Sequence, residues 1–154
     1  MWGPDDPSNR MPMVWEGMQF EDPQVKFDPE VFEFFQHAIA MRNQLPELRL
    51  GFFRGVKADD EHGVYVFARE LGDQVAYVVV NRSNAEQKID VPADGMADGA
   101  KLVDWLDPRE AGLMQPEGSR PKLLLRANPD VVPVTGGRFV ITLKPFSTAV
   151  FTKQ

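Results

Sequence analysis

Side chains able to do chemistry fall in a few places along the chain. Asp5 and Asp6 stand side by side near the amino terminus, two carboxylates of the kind used in general acid and base work. Asp59-Asp60-Glu61-His62-Gly63 is an acidic turn whose oxygens suit a hard cation such as Ca²⁺. His37 and His62 are the two histidines, and Trp2, Trp15 and Trp105 offer flat apolar rings of the kind that stack on pyranoses.

Each of these has a plainer reading, and for most the plainer reading wins. A pair of carboxyl groups that works as catalytic acid and base must be held at a fixed separation by a rigid frame. Asp5 and Asp6 are neighbours in a proline-rich turn with no sheet to hold them, so they are not a catalytic pair. The acidic turn lacks the spaced ligands of a calcium loop and reads as the bend of a hairpin. His37 falls on the polar side of a helix, where a solvated or capping role is expected, and His62 reads as a turn residue. Trp105, in Leu102-Val103-Asp104-Trp105-Leu106-Asp107-Pro108, reads as a core or sheet-edge residue. No catalytic residue, metal ligand or cofactor is expected in this chain.

Composition narrows the partners. Seventeen basic against twenty-three acidic residues give a net charge of −6, which argues against a polyanion such as nucleic acid. With no cysteine there is no disulfide framework and no thiolate zinc site, which fits a cytoplasmic protein. The longest apolar runs, such as Val75–Val80, are far short of the roughly 20 residues that span a bilayer. Met1–Pro7 lacks the basic and apolar segments of a secretory signal, although a longer parent could be exported. At 154 residues there is room for one hydrophobic core.

The elements that must position these side chains follow from periodicity. Prolines at 4, 7, 12 and 23 keep residues 1–27 in a long irregular loop whose tryptophans and methionines need something to pack against. Asp28-Pro29-Glu30 starts a helix, and Pro46 stops it after Leu45. Val31, Phe32, Phe34, Phe35, Ala38, Ile39, Met41 and Leu45 spread over an arc of roughly 180°, wider than the stripe of a surface helix, so this helix wants partners on more than one side. Beyond Leu50 the pattern turns to short β-branched runs. Strands are expected at 52–56, 64–69, 75–81, 87–91, 101–105, 122–126, 139–143 and 148–152, with 112–121 as a long polar connection. Roughly eight strands in about 100 residues predict a mainly β fold, an antiparallel Greek-key sandwich.

The run Gly3-Pro4-Asp5-Asp6-Pro7-Ser8-Asn9-Arg10-Met11-Pro12-Met13-Val14-Trp15 resembles the loop after the eighth barrel strand in the α-amylase superfamily of glycoside hydrolases. It is most similar to the neopullulanase, cyclomaltodextrinase and maltogenic amylase group. His37–Arg42 and Leu45–Gly51 resemble that family's last barrel helix and its link to domain C. Val64–Arg69, Val78–Ser83 and Leu143–Phe151 resemble strands of domain C.

The resemblance implies two parts, with 1–49 a remnant of a (β/α)8 barrel (loop 1–27, helix 28–45) and 50–154 the sandwich. It implies that Asp6 and Arg10 contact glucose hydroxyls, a role that suits a carboxylate acceptor and a forked guanidinium donor; a local salt bridge fixing the loop is the compatible alternative. Trp2 and Trp15, on a loop that faces the substrate cleft in the family, become possible stacking residues. Met11, Met13 and Met18 become packing against the missing barrel. The family takes its nucleophile and acid from strands before this motif, so the chain is expected to be inactive alone. Its expected partners are a maltooligosaccharide or other α-glucan in the parent, the missing barrel, and a second copy through helix 28–45 and loop 1–27. The competing expectation is a free-standing β-sandwich that binds glycans or proteins, in which Phe32, Phe34, Phe35 and Ile39 would be covered within the chain.

Overall fold

The computed structural model describes residues 13–114 and 119–154. Among them, residues up to Phe35 form one compact unit and those from Gln36 onward another.

In the first unit, residues 13–28 carry turns but no regular element, with Pro23 in their midst. Helix α1 (Pro29–Gln44) begins where expected, with Asp28 Oδ1 accepting from the amides of Glu30 at 3.0 Å and Val31 at 3.1 Å. Phe32 meets Phe27 and Trp15, with ring centroids 5.4 and 6.5 Å apart.

The second unit takes up the rest of α1, then α2 (Pro46–Leu50). The sequence reading treats Pro46 only as a stop; it also serves at the start of a further helical turn, because the missing N–H of proline is no loss there. Leu45 is correspondingly extended, at φ −97° and ψ 104°. Gly51 then turns the chain into the sheet. A Cβ there would lie 2.5 Å from the Glu47 carbonyl and 2.9 Å from the Glu70 backbone, so α2 seats against the second strand only because this residue has no side chain.

Ten strands follow: β1 Phe52–Asp59, β2 Val64–Leu71, β3 Gln74–Asn81, β4 Gln87–Pro92, β5 Lys101–Asp104, β6 Ala111–Met114, β7 Lys122–Leu125, β8 Val131–Pro133, β9 Arg138–Leu143 and β10 Ser147–Lys153. All eight expected strands are present. The two additional ones, β6 and β8, are three or four residues long, too short for periodicity to show. β6 corrects the reading of 112–121 as a polar connection. Its run has little pattern of its own and becomes a strand because β7 pairs with it, Leu113 opposite Leu123.

The fold is the expected mainly β, antiparallel sandwich. A six-stranded sheet in the order β1-β2-β3-β10-β5-β8 packs against β4-β9, and β6-β7 is a separate hairpin. Alternation along the strands gives the large sheet two apolar faces. The inner face puts Val66, Tyr77, Val79, Leu102 and Phe151 against Ile89, Val91, Phe139 and Ile141. The outer face puts Ala76 and Val150 against Ala40, Met41, Leu45 and Leu48 of the helices and Leu123 of the hairpin. Burying a side chain of this size contributes about 1.5–3 kcal/mol, so the helical segment belongs energetically to the sandwich.

Candidate functional site

The apolar residues of α1 differ in their cover. Ala40 and Met41 are buried on the sandwich. Val31, Phe32, Phe34, Phe35 and Ile39 are exposed, Phe35 and Ile39 each at 58%. Met13, Trp15 and Met18 in the preceding loop are exposed too. This is the wide apolar arc of the sequence, half covered and half bare. Bare apolar surface of this kind marks an interaction face.

The joint between helix and sandwich is polar and specific. His37 is 8% exposed, and its Nε2 donates to the Trp105 carbonyl at 2.7 Å. The expectation of a solvated or capping histidine is therefore corrected. Position 37 lies three and four residues before Ala40 and Met41 and shares their stripe, and its ring N–H pairs the carbonyl beneath it. Gln44 repeats the device, its amide nitrogen donating to the Leu123 carbonyl at 2.9 Å while its oxygen accepts from the Leu123 amide at 3.0 Å. Arg42 donates to the carbonyl of Leu48. Below the joint, Asp104 accepts from the amides of Leu106 at 2.9 Å and Val150 at 3.0 Å. Burial dominates those two bonds and pushes its carboxyl up to about 6.

Of the residues singled out from the sequence, Asp6, Arg10 and Trp2 lie outside the described residues. Trp15 is half exposed and packs edge-on against Phe32. Trp105 is half-buried at the edge of the outer core, its indole donating to Thr152 Oγ1 at 2.7 Å, in agreement with a sheet-edge role. The acidic segment 59–63 is the bend of the β1–β2 hairpin, with Gly63 at φ +66°. There Asp59 Oδ1 pairs with His62 Nδ1 at 2.9 Å, a bond that holds the aspartate below and the histidine above their ordinary pKa values.

Several structural residues gave no signal in the sequence. Asn81 is 1% exposed and ties three strand ends together, its amide donating to the carbonyls of Ala85 and Lys144, both at 2.8 Å, and of Leu143 at 3.3 Å. Glu110, also buried, accepts from Arg126 Nε and the Asp130 amide, both at 2.8 Å. Glu47 is buried as well, at 4% exposure, and its Oε2 has no hydrogen-bond donor among the described residues. It lines a cleft of about 1050 Å³ bounded by α2, the β2–β3 turn, the 94–97 loop and Trp105. Pro46 and Trp105, both singled out in the sequence, stand among its walls, but nothing in the sequence brings them together.

Comparison with known proteins places this geometry. Residues 57–115 match the family described as the alpha-amylase C-terminal domain. A cyclomaltodextrinase from Geobacillus thermopakistaniensis is 37% identical over 106 residues, covering 69% of this chain and 16% of the relative. Neopullulanase 2 from Thermoactinomyces vulgaris is 32% identical over 112 residues, covering 71% and 17%. The chain thus spans about a sixth of the length of the curated relatives it matches. The structure of the Geobacillus thermoleovorans alpha-amylase complexed with acarbose superposes with a TM-score of 0.68 at 19% identity, over 97% of this chain and 26% of that one. No helix among the described residues is long and apolar enough to cross a membrane.

Proposed function

We propose that this chain, which carries an alpha-amylase C-terminal domain, acts as the carboxy-terminal portion of an α-glucan-acting glycoside hydrolase. It supplies the sandwich, the last barrel helix and part of a substrate-binding loop. The observation that carries this reading is the divided face of α1. Ala40 and Met41 pack on the sandwich while Phe35 and Ile39, opposite them, stand bare, as a helix shared between two domains requires. Coverage of Phe32, Phe34, Phe35 and Ile39 within the chain would have favoured a self-contained module instead.

On this reading residues 1–49 belong to the barrel and 50–154 to the sandwich, and Asp6 and Arg10 contact glucose hydroxyls, with Trp2 and Trp15 beside them as stacking rings. The partners are a maltooligosaccharide or related α-glucan, the catalytic barrel, and, when the chain is alone, a second copy joined through α1 and the loop before it. The absence of cysteine supports a cytoplasmic location.

The purified chain is expected to release no reducing sugar from maltoheptaose or pullulan, and to sediment as a concentration-dependent oligomer. Hydrolysis by the chain alone, or a strict monomer at millimolar concentration, would overturn the reading.

A further inference from the structure

We propose that a bare aromatic strip on β1 and β2 is the seat for α1 of a second copy, so that two chains pair face to face with each helix lying on the other's sheet. Such a pair rests on the self-association proposed above; the receiving surface is new. Along β2 the buried Val64, Val66 and Ala68 alternate with Tyr65 and Phe67, which therefore stand on the outer face of the large sheet, the face that also carries the helices. Phe53 joins them from β1. Its ring centroid lies 5.3 Å from that of Phe67, which lies 5.8 Å from that of Tyr65, at interplanar angles of 32° and 37°. Phe53 is 57% and Tyr65 40% exposed. The apolar core under the helices takes in Ala76 and Val78 of β3 and Val150 of β10 but, among the described residues, none of β1 or β2.

Size and chemistry point to a helix as the occupant. Two strands about 4.8 Å apart make a shelf about 10 Å wide, close to the roughly 10–12 Å of a helix with its side chains. Around the rings, in register on the same face, stand Gly55, Ala58, Val78 and Val80, none of which offers a polar side chain, so a sugar would find nothing there for its hydroxyls. Packing of Phe67 over Gly55 across the ladder explains one ring as hairpin support, but it leaves Phe53 bare. The chain itself holds a helix with an unmatched apolar crest: Ile39, 58% exposed on the side opposite Ala40 and Met41, and Phe35 four residues before it. The Ala40–Gln44 part of α1 rests on the same face of the sheet as the strip. A two-fold axis therefore lets crest and strip of one copy meet strip and crest of the other, and both contacts form at once. At 150–250 Å² for a fully buried ring, the exposed parts of Phe35, Phe53 and Tyr65 amount to about 300 Å² per copy and about 600 Å² for the pair before Ile39 is counted. That places the pair in the concentration-dependent class below roughly 1200 Å².

The test is sedimentation equilibrium of the whole chain with two variants, alone and mixed. The strip variant is Phe53→Thr with Tyr65→Thr, which keeps strand propensity; the crest variant is Phe35→Ser with Ile39→Ser. Each alone should associate at least about tenfold more weakly. Mixed in equal amounts they should regain part of the loss, because a crest-variant chain keeps its strip, a strip-variant chain keeps its crest, and their pair restores one complete contact. Nitrogen-15 NMR of the unaltered chain on dilution provides a check free of substitutions: the amides of Phe53, Tyr65 and Phe67 should shift with concentration. Unweakened association of the strip variant, no recovery on mixing, dilution shifts that spare β1 and β2, or loss of association on adding maltotetraose would overturn the seat. A weakened crest variant beside an unweakened strip variant would do so while leaving self-association through α1 in place, and hydrolysis by the chain alone bears only on the function proposed above.

Discussion

Replacing Asp104 by Asn should make the folded chain more stable at neutral pH and leave it nearly unchanged at pH 4. Asp104 ends β5 and accepts two backbone amides, from Leu106 and Val150, which an Asn oxygen can also do. What the carboxylate adds is a charge in a buried place. Its pKa rises from 3.8 to about 6 on folding, and at about 1.36 kcal/mol per unit that corresponds to about 3 kcal/mol.

The sign follows from proton binding. A group whose pKa is raised in the folded state contributes stability that is fully present below its unfolded value and is lost as pH rises through its folded value. The loss therefore falls between pH 4 and 6. Other shifted groups act outside that window. Asp59, Asp90 and Asp107 are held below 3.8 by His62, Arg138 and Arg109, so their contributions fade only in stronger acid. His62 is raised above 6.5 by Asp59 and acts at higher pH. Urea denaturation of both proteins at half-unit steps from pH 4 to 7.5, with m-values checked for equality, isolates the term. The gap between variant and parent should open by about 3 kcal/mol up to pH 6 and then level off. A gap that stays flat across the range would refute the burial argument.

Asn81→Ala should cost about 2–4 kcal/mol in the same assay, since it removes the bonds from the end of β3 to the carbonyls of Ala85, Leu143 and Lys144; no loss would show that water replaces the amide freely. Phe146, 74% exposed, sits at φ 50° in the turn before β10, so Phe146→Gly should raise the melting temperature by a few degrees, equivalent to about 1 kcal/mol. Phe35→Ser with Ile39→Ser, four residues apart and both bare on α1, should shift the sedimentation profile toward monomer without lowering the melting temperature. Asp59→Asn should bring the His62 pKa down toward 6.5 in a proton NMR titration.

The strands and the helix could be read in advance because their signals are local. Val75–Asn81 is a continuous β-branched run, and Asp28-Pro29 is a cap joined to a first-turn proline. β6 could not, since Gly112-Leu113-Met114 acquires its conformation from Leu123 on a strand about ten residues away. His37 was misjudged for a related reason. A helical wheel sorts side chains by polarity, whereas burial is decided by what the opposing surface offers, here the unpaired carbonyl of Trp105. The loop motif at 3–15 carried the family and the expected sugar contacts, but no sequence pattern announces a cleft. The surroundings of Glu47 come from α2, β2, the 94–97 loop and the chain's last strand, segments that meet only after folding.

Gln44 imposes a rule on anyone wishing to graft this sandwich onto another protein. By engaging both backbone groups of Leu123, its side-chain amide behaves as one more rung of the β6–β7 ladder, so the sheet borrows its last partner from a helix. A chimera spliced at the apparent sequence boundary near Leu50 would leave that rung behind, unpairing a strand edge and stripping the cover from Ala76, Leu123 and Val150. Splicing before His37 would carry the rung along. The inheritable module is therefore longer than the β-rich segment, and it begins inside helix α1.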